Sequence, residues 1–182
     1  MIFYRDEKYK FNEFFNEENG FLIRTNILDN KKIETSNRAK MRSFPELIDI
    51  GIMGRCHVYK QYCKKFGIEC YQVKDGSNMP IKLYEKIINQ CKGKVFQVAL
   101  GGKGDPNKHK DFEQILKITR KNNIVPNLTT TGIGITNKEI DLIKKYVGAI
   151  AISLYSKLTI DFEESNEECI KAIEKIVSNK IT

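Results

Sequence analysis

VFQVALGGKGDPNKHKDFEQILKITRKNNIVPNLTTTG, residues 95–132, contains a strand, a loop, a helix and a second strand in that order. Residues 95–102 are a short apolar run that ends in two glycines, which is typical of a buried strand. After the loop KGDPNKH, Phe112, Ile115 and Leu116 recur at helical spacing. The segment IVPNLTTTG then predicts another strand. This order indicates two parallel strands joined by a crossover helix.

The same order continues on both sides of this unit. Upstream, LIDIGIM (Leu47–Met53) predicts a buried strand, and a helix follows it with Asn78 as its N-cap. Downstream, Thr136 and Glu139 form a capping-box pattern at the start of TNKEIDLIKKY. AIAISLYS, residues 149–156, predicts a fourth strand, and SNEECIKAIEKIV a fourth helix. Four successive βα units predict a parallel sheet whose strands are apolar on both faces, because helices cover them.

Two architectures fit such a sheet, an open doubly wound sheet and a (β/α) barrel. The first βα loop lacks the G-x-G-x-x-G pattern of a dinucleotide site. The cysteine loop after Met53, the GGKGDP loop, TTTG and SLYS all follow predicted strands, so in a barrel they face one mouth. We therefore predict an α/β fold: a parallel, partial TIM-type barrel of about four βα units over residues 44–182. Residues 1–43 are predicted to be an N-terminal extension with a β-hairpin around NGFLIRTNIL.

Composition narrows the functional class. The 182 residues carry a net charge of +8, but the lysines are scattered among glutamates and form no basic block interleaved with aromatics, so nucleic-acid binding is not expected. No apolar stretch is long enough to span a membrane, and the charged start MIFYRDEKYKF does not resemble a secretory signal. These features predict a cytoplasmic protein, in which thiols stay reduced and cysteines serve as ligands or core residues.

Three of the five cysteines lie in GRCHVYKQYCKKFGIECYQ, residues 54–72, at positions 56, 63 and 70. On a helix, a separation of seven residues would place successive sulfurs about 10 Å apart, too far to share one metal ion. Two glycines interrupt the segment and no apolar stripe runs through it, so a loop is favoured, in which Cys56, Cys63 and Cys70 can converge. The residues alone leave three roles open: cluster ligands, a zinc site completed by His109, or core residues.

FPELIDIGIMGRC, the segment from Cys63 to GIECYQ, VFQVALGGKGDP and NNIVPNLTTTGIG together resemble the radical S-adenosylmethionine (SAM) superfamily. The resemblance is to a subgroup with unusually spaced cysteines, often described as peptide-modifying. The superfamily's usual loop is C-x3-C-x2-C, whereas this chain has C-x6-C-x6-C. The resemblance implies a [4Fe–4S] cluster held by Cys56, Cys63 and Cys70, with SAM bound at the open iron. It further implies reductive cleavage of SAM to a 5′-deoxyadenosyl radical.

The resemblance also implies a set of cofactor-binding residues at the carboxyl ends of the strands. Asp105 can equally be a turn residue before a proline, and Ser153 a small residue packed in the barrel. His109 is expected to be a surface loop residue, and Cys91 and Cys169 to be buried on helix faces. The residues that the resemblance assigns to SAM are Tyr71, Gly101, Gly102, Gly104, Asp105, Thr131 and Ser153.

The implied partners are a peptide or protein substrate and an electron donor such as flavodoxin or ferredoxin. The superfamily's core usually has six βα units, so we expect this chain to be short of the full core at its C-terminal side. An open edge at the fourth strand would then favour self-association or a partner chain. The alternative is a truncated, non-catalytic partial barrel that acts as a binding or regulatory module, with or without a zinc site.

Overall fold

A small antiparallel sheet precedes a four-stranded parallel sheet, and α-helices alternate with the parallel strands. The computed structural model describes residues 1–29, 31, 42–56, 76–154 and 162–179. For residues 162–165 it describes the backbone alone. In chain order the elements are β1 (Ile2–Asp6), β2 (Phe11–Phe15), β3 (Leu22–Asn26), β4 (Leu47–Met53), α1 (Ile81–Cys91), β5 (Gln97–Gly102), a 3₁₀ turn (Pro106–Lys108), α2 (Phe112–Lys121), β6 (Val125–Thr130), α3 (Asn137–Tyr146), β7 (Ala149–Ile152) and α4 (Phe162–Ser178).

The second sheet has the order β4-β5-β6-β7, and all its pairs are parallel. One row of register partners crosses all four strands, from Ile50 through Leu100 and Leu128 to Ile150. Strands that are consecutive in the chain are therefore neighbours in the sheet, as right-handed βα crossovers produce. The predicted α/β class with four βα units is confirmed.

All four helices pack on the same face of this sheet. Ile50, Leu100 and Leu128 belong to one buried core, and Ile150 packs against it half-buried. Each helix contributes a buried residue to this core: Ile88 of α1, Ile115 of α2, Ile143 of α3 and Ala172 of α4. Helices on one face only distinguish a partial barrel from a doubly wound sheet, which has helices on both faces. Within the described chain, no helix combines the length and the apolarity needed to cross a membrane.

The opposite face of the parallel sheet, called here the inner face, is small and polar. Side chains alternate along a strand, so the residues between the core positions point to this face. The prediction that the strands are apolar on both faces was wrong, because the inner face has no helix to pack against and most of its side chains are short or polar. Its residues include Asp49, Gly51, Gln97, Ala99, Gly101, Asn127, Thr129, Ala149 and Ala151. The apolar exceptions flank Gln97 at the amino end of the face: Leu47 is exposed, and Val125 packs in the cluster of the N-terminal sheet.

The N-terminal sheet lies against the amino ends of the parallel strands. The predicted antiparallel N-terminal region is confirmed, and it has three strands, of which the first begins at Ile2. Residues 32–35, the rest of KKIET after Lys31, lie outside the described residues. Phe15 of β2 stacks on Phe96, which precedes β5, with ring centroids 5.4 Å apart. Val125, the first residue of β6, joins the same apolar cluster. The small sheet thus covers the end of the barrel opposite the predicted mouth.

A buried ion cluster fastens the two sheets together. Glu13 of β2 is fully buried and pairs with Arg24 and Arg42, each at 2.6 Å. The Arg42 guanidinium also donates to the carbonyl oxygens of Phe44 at 2.6 Å and Lys94 at 2.8 Å. A buried charge is tolerated only when its partners are in place, so removal of one member should cost far more than loss of an exposed pair.

We predict that Glu13→Gln lowers the free energy of unfolding by about 3 kcal/mol, because two buried arginines lose their shared counter-charge. Urea denaturation followed by far-UV circular dichroism measures this loss. Glu7→Gln, which removes the exposed Glu7–Arg5 pair, is the matched control and should leave the midpoint unchanged. Equal midpoints for the two variants would show that the buried cluster does not hold the N-terminal sheet in place.

Candidate functional site

The carboxyl ends of the four parallel strands meet at one edge of the sheet. β4 ends at Met53, β5 at Gly102, β6 at Thr130 and β7 at Ile152. Just beyond β7, the backbone N–H of Ser153 donates to the Thr130 carbonyl at 2.8 Å, so Ser153 continues the sheet. The Ser153 side chain is exposed, and the alternation of side chains along β7 places it on the inner face. It therefore does not occupy the packed position in the barrel that was the alternative prediction for this residue.

Glycines leave a bare strip of backbone at this edge. Gly51 and Gly101 are register partners on the inner face of β4 and β5. A Cβ at Gly51 would meet only the Gly101 carbonyl oxygen at 3.8 Å, and one at Gly101 would lie 3.6 Å from Thr129. Gly102, the last residue of β5, has φ +100°, which favours glycine. We call Gly51, Gly101 and Gly102 the glycine shelf.

A cleft of about 540 Å³ opens beside the glycine shelf. Its walls include Met53 and Lys103 at the strand ends, and Met79 and Leu83 at the start of α1. Leu83 is 46% exposed and faces this cleft. Together, the bare backbone and the cleft form a concave surface at the predicted mouth.

Cys56 lies next to this surface, half-buried, three residues after the end of β4. A Cβ at Gly104 would collide with the carbonyl oxygen of Arg55, so the GGKGDP loop packs directly on the backbone that precedes Cys56. The structure thereby brings Cys56 close to the turn that follows β5. Three residues predicted for the site lie outside the described residues, namely Cys63, Cys70 and Tyr71.

The two ends of the segment that carries those three residues are held together. The Met79 N–H donates to the Ile52 carbonyl at 2.9 Å, and the Gly54 N–H donates to the Asn78 side chain at 3.1 Å. Gly54 and Gly76 lie so close that neither tolerates a Cβ. Asn78 was predicted as an N-cap, which was wrong, because its amide serves this contact and α1 begins at Ile81 instead. The chain thus leaves and re-enters the described structure at the same point.

Asp105 and Thr131, both assigned to SAM by the resemblance, bind each other. The buried Asp105 carboxylate accepts hydrogen bonds from the Thr131 backbone N–H at 2.9 Å and from its hydroxyl at 2.5 Å. Asp105 thus holds the turn after β5 against the turn after β6. This contact gives both residues a structural role in the turns that border the glycine shelf.

A second set of buried polar contacts joins the same two loops, and the sequence did not predict it. The Asn107 side chain accepts from the Thr130 hydroxyl at 2.8 Å and donates to Glu139 at 3.1 Å. The Lys108 ammonium reaches both oxygens of Glu139 at 2.9 and 3.0 Å. The capping box between Thr136 and Glu139 is confirmed, but no sequence signal links this cap to a loop about thirty residues earlier.

His109 is buried, so its prediction as a surface residue was wrong. Its Nδ1 accepts from the Asp111 N–H at 3.0 Å, which leaves the proton on Nε2, where it is donated to the Met79 carbonyl at 3.1 Å. With both ring nitrogens engaged, His109 is not available as a zinc ligand. Its contact instead ties the loop after β5 to the start of α1.

The other two cysteines have the predicted structural role. Cys91 on α1 is 5% exposed and Cys169 on α4 is fully buried. Burial raises the pKa of the Cys91 thiol, which keeps it protonated and unreactive. Among the described residues, no group of three or more histidine, cysteine, aspartate or glutamate side chains is arranged to hold a metal ion.

The Glu139 contacts predict an acid-sensitive site. Burial alone would raise the pKa of the Glu139 carboxyl. Hydrogen bonds from Thr136, Lys108 and Asn107 nevertheless hold this pKa below its ordinary value. The unfolded pKa is about 4.3, so the stabilisation is complete above about pH 5 and is lost as the pH falls through the lower folded pKa. We expect Glu139→Gln to be less stable at pH 7 and to lose less stability than wild type between about pH 5 and pH 3. Urea denaturation across this pH range measures both slopes, and parallel curves would contradict the assignment.

Known proteins were compared with the chain by sequence and by structure. No protein-family model matches the sequence, and no curated protein is significantly similar to it. Among solved structures, SuiB from Streptococcus suis bound to S-adenosylmethionine matches with a TM-score of 0.62 and 14% identity. That match covers 98% of this chain and 55% of SuiB, so the chain spans about half the length of the protein it matches.

Two further structures match at similar identity. SuiB bound to the precursor peptide SuiA has a TM-score of 0.63 at 14% identity, over 98% of this chain and 55% of SuiB. BtrN in complex with AdoMet and 2-DOIA has a TM-score of 0.51 at 14% identity, over 70% of this chain and 56% of BtrN. At these identities the matches establish a shared fold. The fold implied by the resemblance to the radical SAM superfamily is therefore the fold of this chain, a partial barrel shared with two proteins crystallised with S-adenosylmethionine.

Proposed function

We propose that this chain is a radical SAM protein that binds a [4Fe–4S] cluster through Cys56, Cys63 and Cys70 and binds SAM along the glycine shelf. The observation that carries the proposal is the position of Cys56 beside bare backbone at the carboxyl edge of a half-barrel. When bound, the cluster supplies the electron that cleaves SAM reductively. The protein's own residues bind and orient the cofactors and keep water away.

The glycine shelf fits a ligand that must approach backbone closely. Side chains at Gly51 and Gly101 would project into the space where the ligand is proposed to lie, although neither would clash with the fold. Gly102 provides a backbone conformation that other residues reach only with strain. Two of the solved structures with this fold contain SAM, which supports the choice of ligand.

The other residues that the resemblance assigns to SAM have two proposed roles, holding the loops around SAM and contacting SAM directly. The hydroxyl of Thr131 is engaged by Asp105, so we assign this pair to holding the loops around SAM. Gly104 brings the same loop against Arg55 and therefore towards Cys56. Ser153 is exposed on the inner face, and we assign its hydroxyl to the ribose or the methionine carboxylate.

The cluster fits the donor chemistry of the segment. Three thiolates leave one iron of a [4Fe–4S] cluster without a protein ligand, which is the position that SAM requires. Cys56 lies at the edge of the cleft, and the segment that contains Cys63 and Cys70 begins and ends there. Tyr71 follows the last of these cysteines and is assigned to the adenine by resemblance.

A peptide or protein is the proposed substrate. SuiB, which shares this fold, has been crystallised with a precursor peptide, and the inner face of this chain is open and polar in its described part.

We further propose a flavodoxin or ferredoxin as electron donor and a cytoplasmic location. β7, the fourth parallel strand, has one neighbour among the described strands, so its outer edge is proposed as a site of self-association.

The cluster assignment predicts a sharp difference between two groups of cysteines. After anaerobic reconstitution with iron and sulfide, wild type should hold about four irons per chain and convert SAM to methionine and 5′-deoxyadenosine when reduced. Each of Cys56→Ala, Cys63→Ala and Cys70→Ala should lose the cluster and this activity. Cys91→Ala is the control, since its thiol is buried on a helix, and should retain both. One zinc per chain without SAM cleavage in wild type would favour the non-catalytic module instead.

The glycine shelf predicts a separate effect on SAM. Gly51→Ala should fold normally, because its methyl group would make only an ordinary contact with Gly101, yet weaken SAM binding at least about tenfold by filling the proposed site. Isothermal titration calorimetry of the reconstituted protein measures the affinity. Thermal unfolding of Gly51→Ala checks that its fold is intact, which separates a loss of SAM binding from a general loss of structure. Unchanged affinity in Gly51→Ala would place SAM elsewhere.

A further inference from the structure

Asp49 is the charged side chain on the inner face among the described residues. It lies in the middle of β4, between Ile48 and Ile50, which point to the helices. The other described inner-face residues are uncharged: glycines, alanines, neutral polar side chains, and Leu47 and Val125 at the amino end of the face. Asp49 is exposed, and neither an ion pair nor a hydrogen bond engages its carboxylate within the described structure. A carboxylate without a counter-charge is available to accept charge-assisted hydrogen bonds from a cationic group.

The neighbours of Asp49 leave its carboxylate accessible. Its register partner is Ala99, which is followed across the sheet by Asn127 and Ala149. Neighbouring strands are about 4.8 Å apart, so Asn127 is about 10 Å from Asp49 with a methyl group between them. The Asn127 amide donates to Gln97 at 2.7 Å, so it is directed towards a different neighbour. A group entering over Ala99 therefore meets the carboxylate and no competing side chain of the described face.

Asp49 also lies at a useful distance from the glycine shelf. Gly51 follows it by two residues on the same face, which corresponds to about 6.6 Å along the strand. An extended lysine or arginine side chain spans a similar length. A basic side chain that pairs with Asp49 would therefore place its own carbon atoms between the carboxylate and the glycine shelf. That is the region that faces the proposed SAM site.

We propose that Asp49 recognises a lysine or arginine side chain of the peptide substrate, held on the inner face below the glycine shelf. This inference rests on the proposed function for the identity of the substrate as a peptide, and on charge complementarity for its basic residue. A carboxylate accepts two N–H groups of a guanidinium or one ammonium group with a charge-assisted hydrogen bond. Asp49 is thus a specificity-determining residue for the substrate.

The test compares four fluorescein-labelled decapeptides of alanine, glycine and serine that differ only at one central residue, which is lysine, arginine, norleucine or glutamate. Fluorescence anisotropy at low ionic strength measures their binding to the reconstituted protein with SAM and to the protein as purified. The lysine and arginine peptides should bind about tenfold more tightly than the norleucine peptide, which corresponds to the coupling of one close charge pair. Asp49→Asn should reduce this ratio to about one.

Asp141→Asn is the matched control, since it removes one negative charge from an exposed position on α3. It should keep the tenfold preference, which excludes a general effect of net charge. Thermal unfolding of Asp49→Asn checks that its fold is intact.

Three results would overturn the inference: a preference for basic peptides that survives in Asp49→Asn, equal binding of the glutamate peptide, or no measurable binding of any of the four. Light scattering tests whether Asp49 instead contacts a second copy of the chain. A change of oligomeric state in Asp49→Asn would assign the carboxylate to that contact and would also overturn the inference. Iron content and SAM cleavage without peptide are measured separately. Their failure would contradict the proposed function, while the peptide ratio still decides the role of Asp49.

Discussion

The packing of all four helices on one face of the parallel sheet determines what the other face can be. The core-facing residues of the strands are large and aliphatic, and together with the helices they form one continuous apolar cluster. This leaves the inner face without a covering element in the described structure, so apolar side chains there would remain in water. Most residues there are glycines, alanines and polar groups, Asp49 among them, and Leu47 is the exposed apolar exception. The concave surface that we assign to cofactor and substrate is a consequence of this one-sided burial.

A surface of bare backbone is useful only if the loops around it are held in place. Here that task falls to buried polar side chains, which must find partners because an unsatisfied buried group is costly. Asp105 satisfies two donors of Thr131, and Asn107 joins Thr130 to Glu139. His109 links the same loop to α1. The loop after β5 is therefore tied to both of its neighbours, and the glycine shelf lies at its base.

Local patterns predicted the elements of the fold well because each pattern depends on neighbouring residues. The strands around Leu100 and Leu128 and the capping box at Thr136 are such cases, and all three are confirmed. The pairing of Asn107 with Glu139 joins residues about thirty positions apart, and neither residue type predicts the other. The burial of His109 was missed for the same reason, since its partner, the Met79 carbonyl, comes from a different element.

The faces of the strands show a different limit. Short segments such as Gln97–Gly102 alternate between large and small residues, yet glycine and alanine are compatible with a buried face as well as an open one. Only the position of the helices decides between the two, and this depends on the tertiary arrangement. The same ambiguity left a doubly wound sheet and a barrel open. The sequence does place the glycines at the strand ends, so the candidate site could be assigned to this edge before its open side was known.

The wide spacing of the cysteines is compatible with this arrangement on energetic grounds. Lengthening a flexible loop is inexpensive, since each doubling of its length costs only about 0.6 kcal/mol of closure free energy. The larger part of the closure free energy is the cost of bringing the two ends of the segment together. In this fold the ends are already in contact, because Gly54 and Gly76 touch and Asn78 binds the backbone of Gly54. In our proposal, a cluster that forms here therefore adds bonds to a loop whose ends are already joined, next to the backbone that SAM would contact. We therefore propose that the C-x6-C-x6-C segment takes the role of the shorter motif, because the end of β4 rather than the cysteine spacing positions Cys56 beside the glycine shelf.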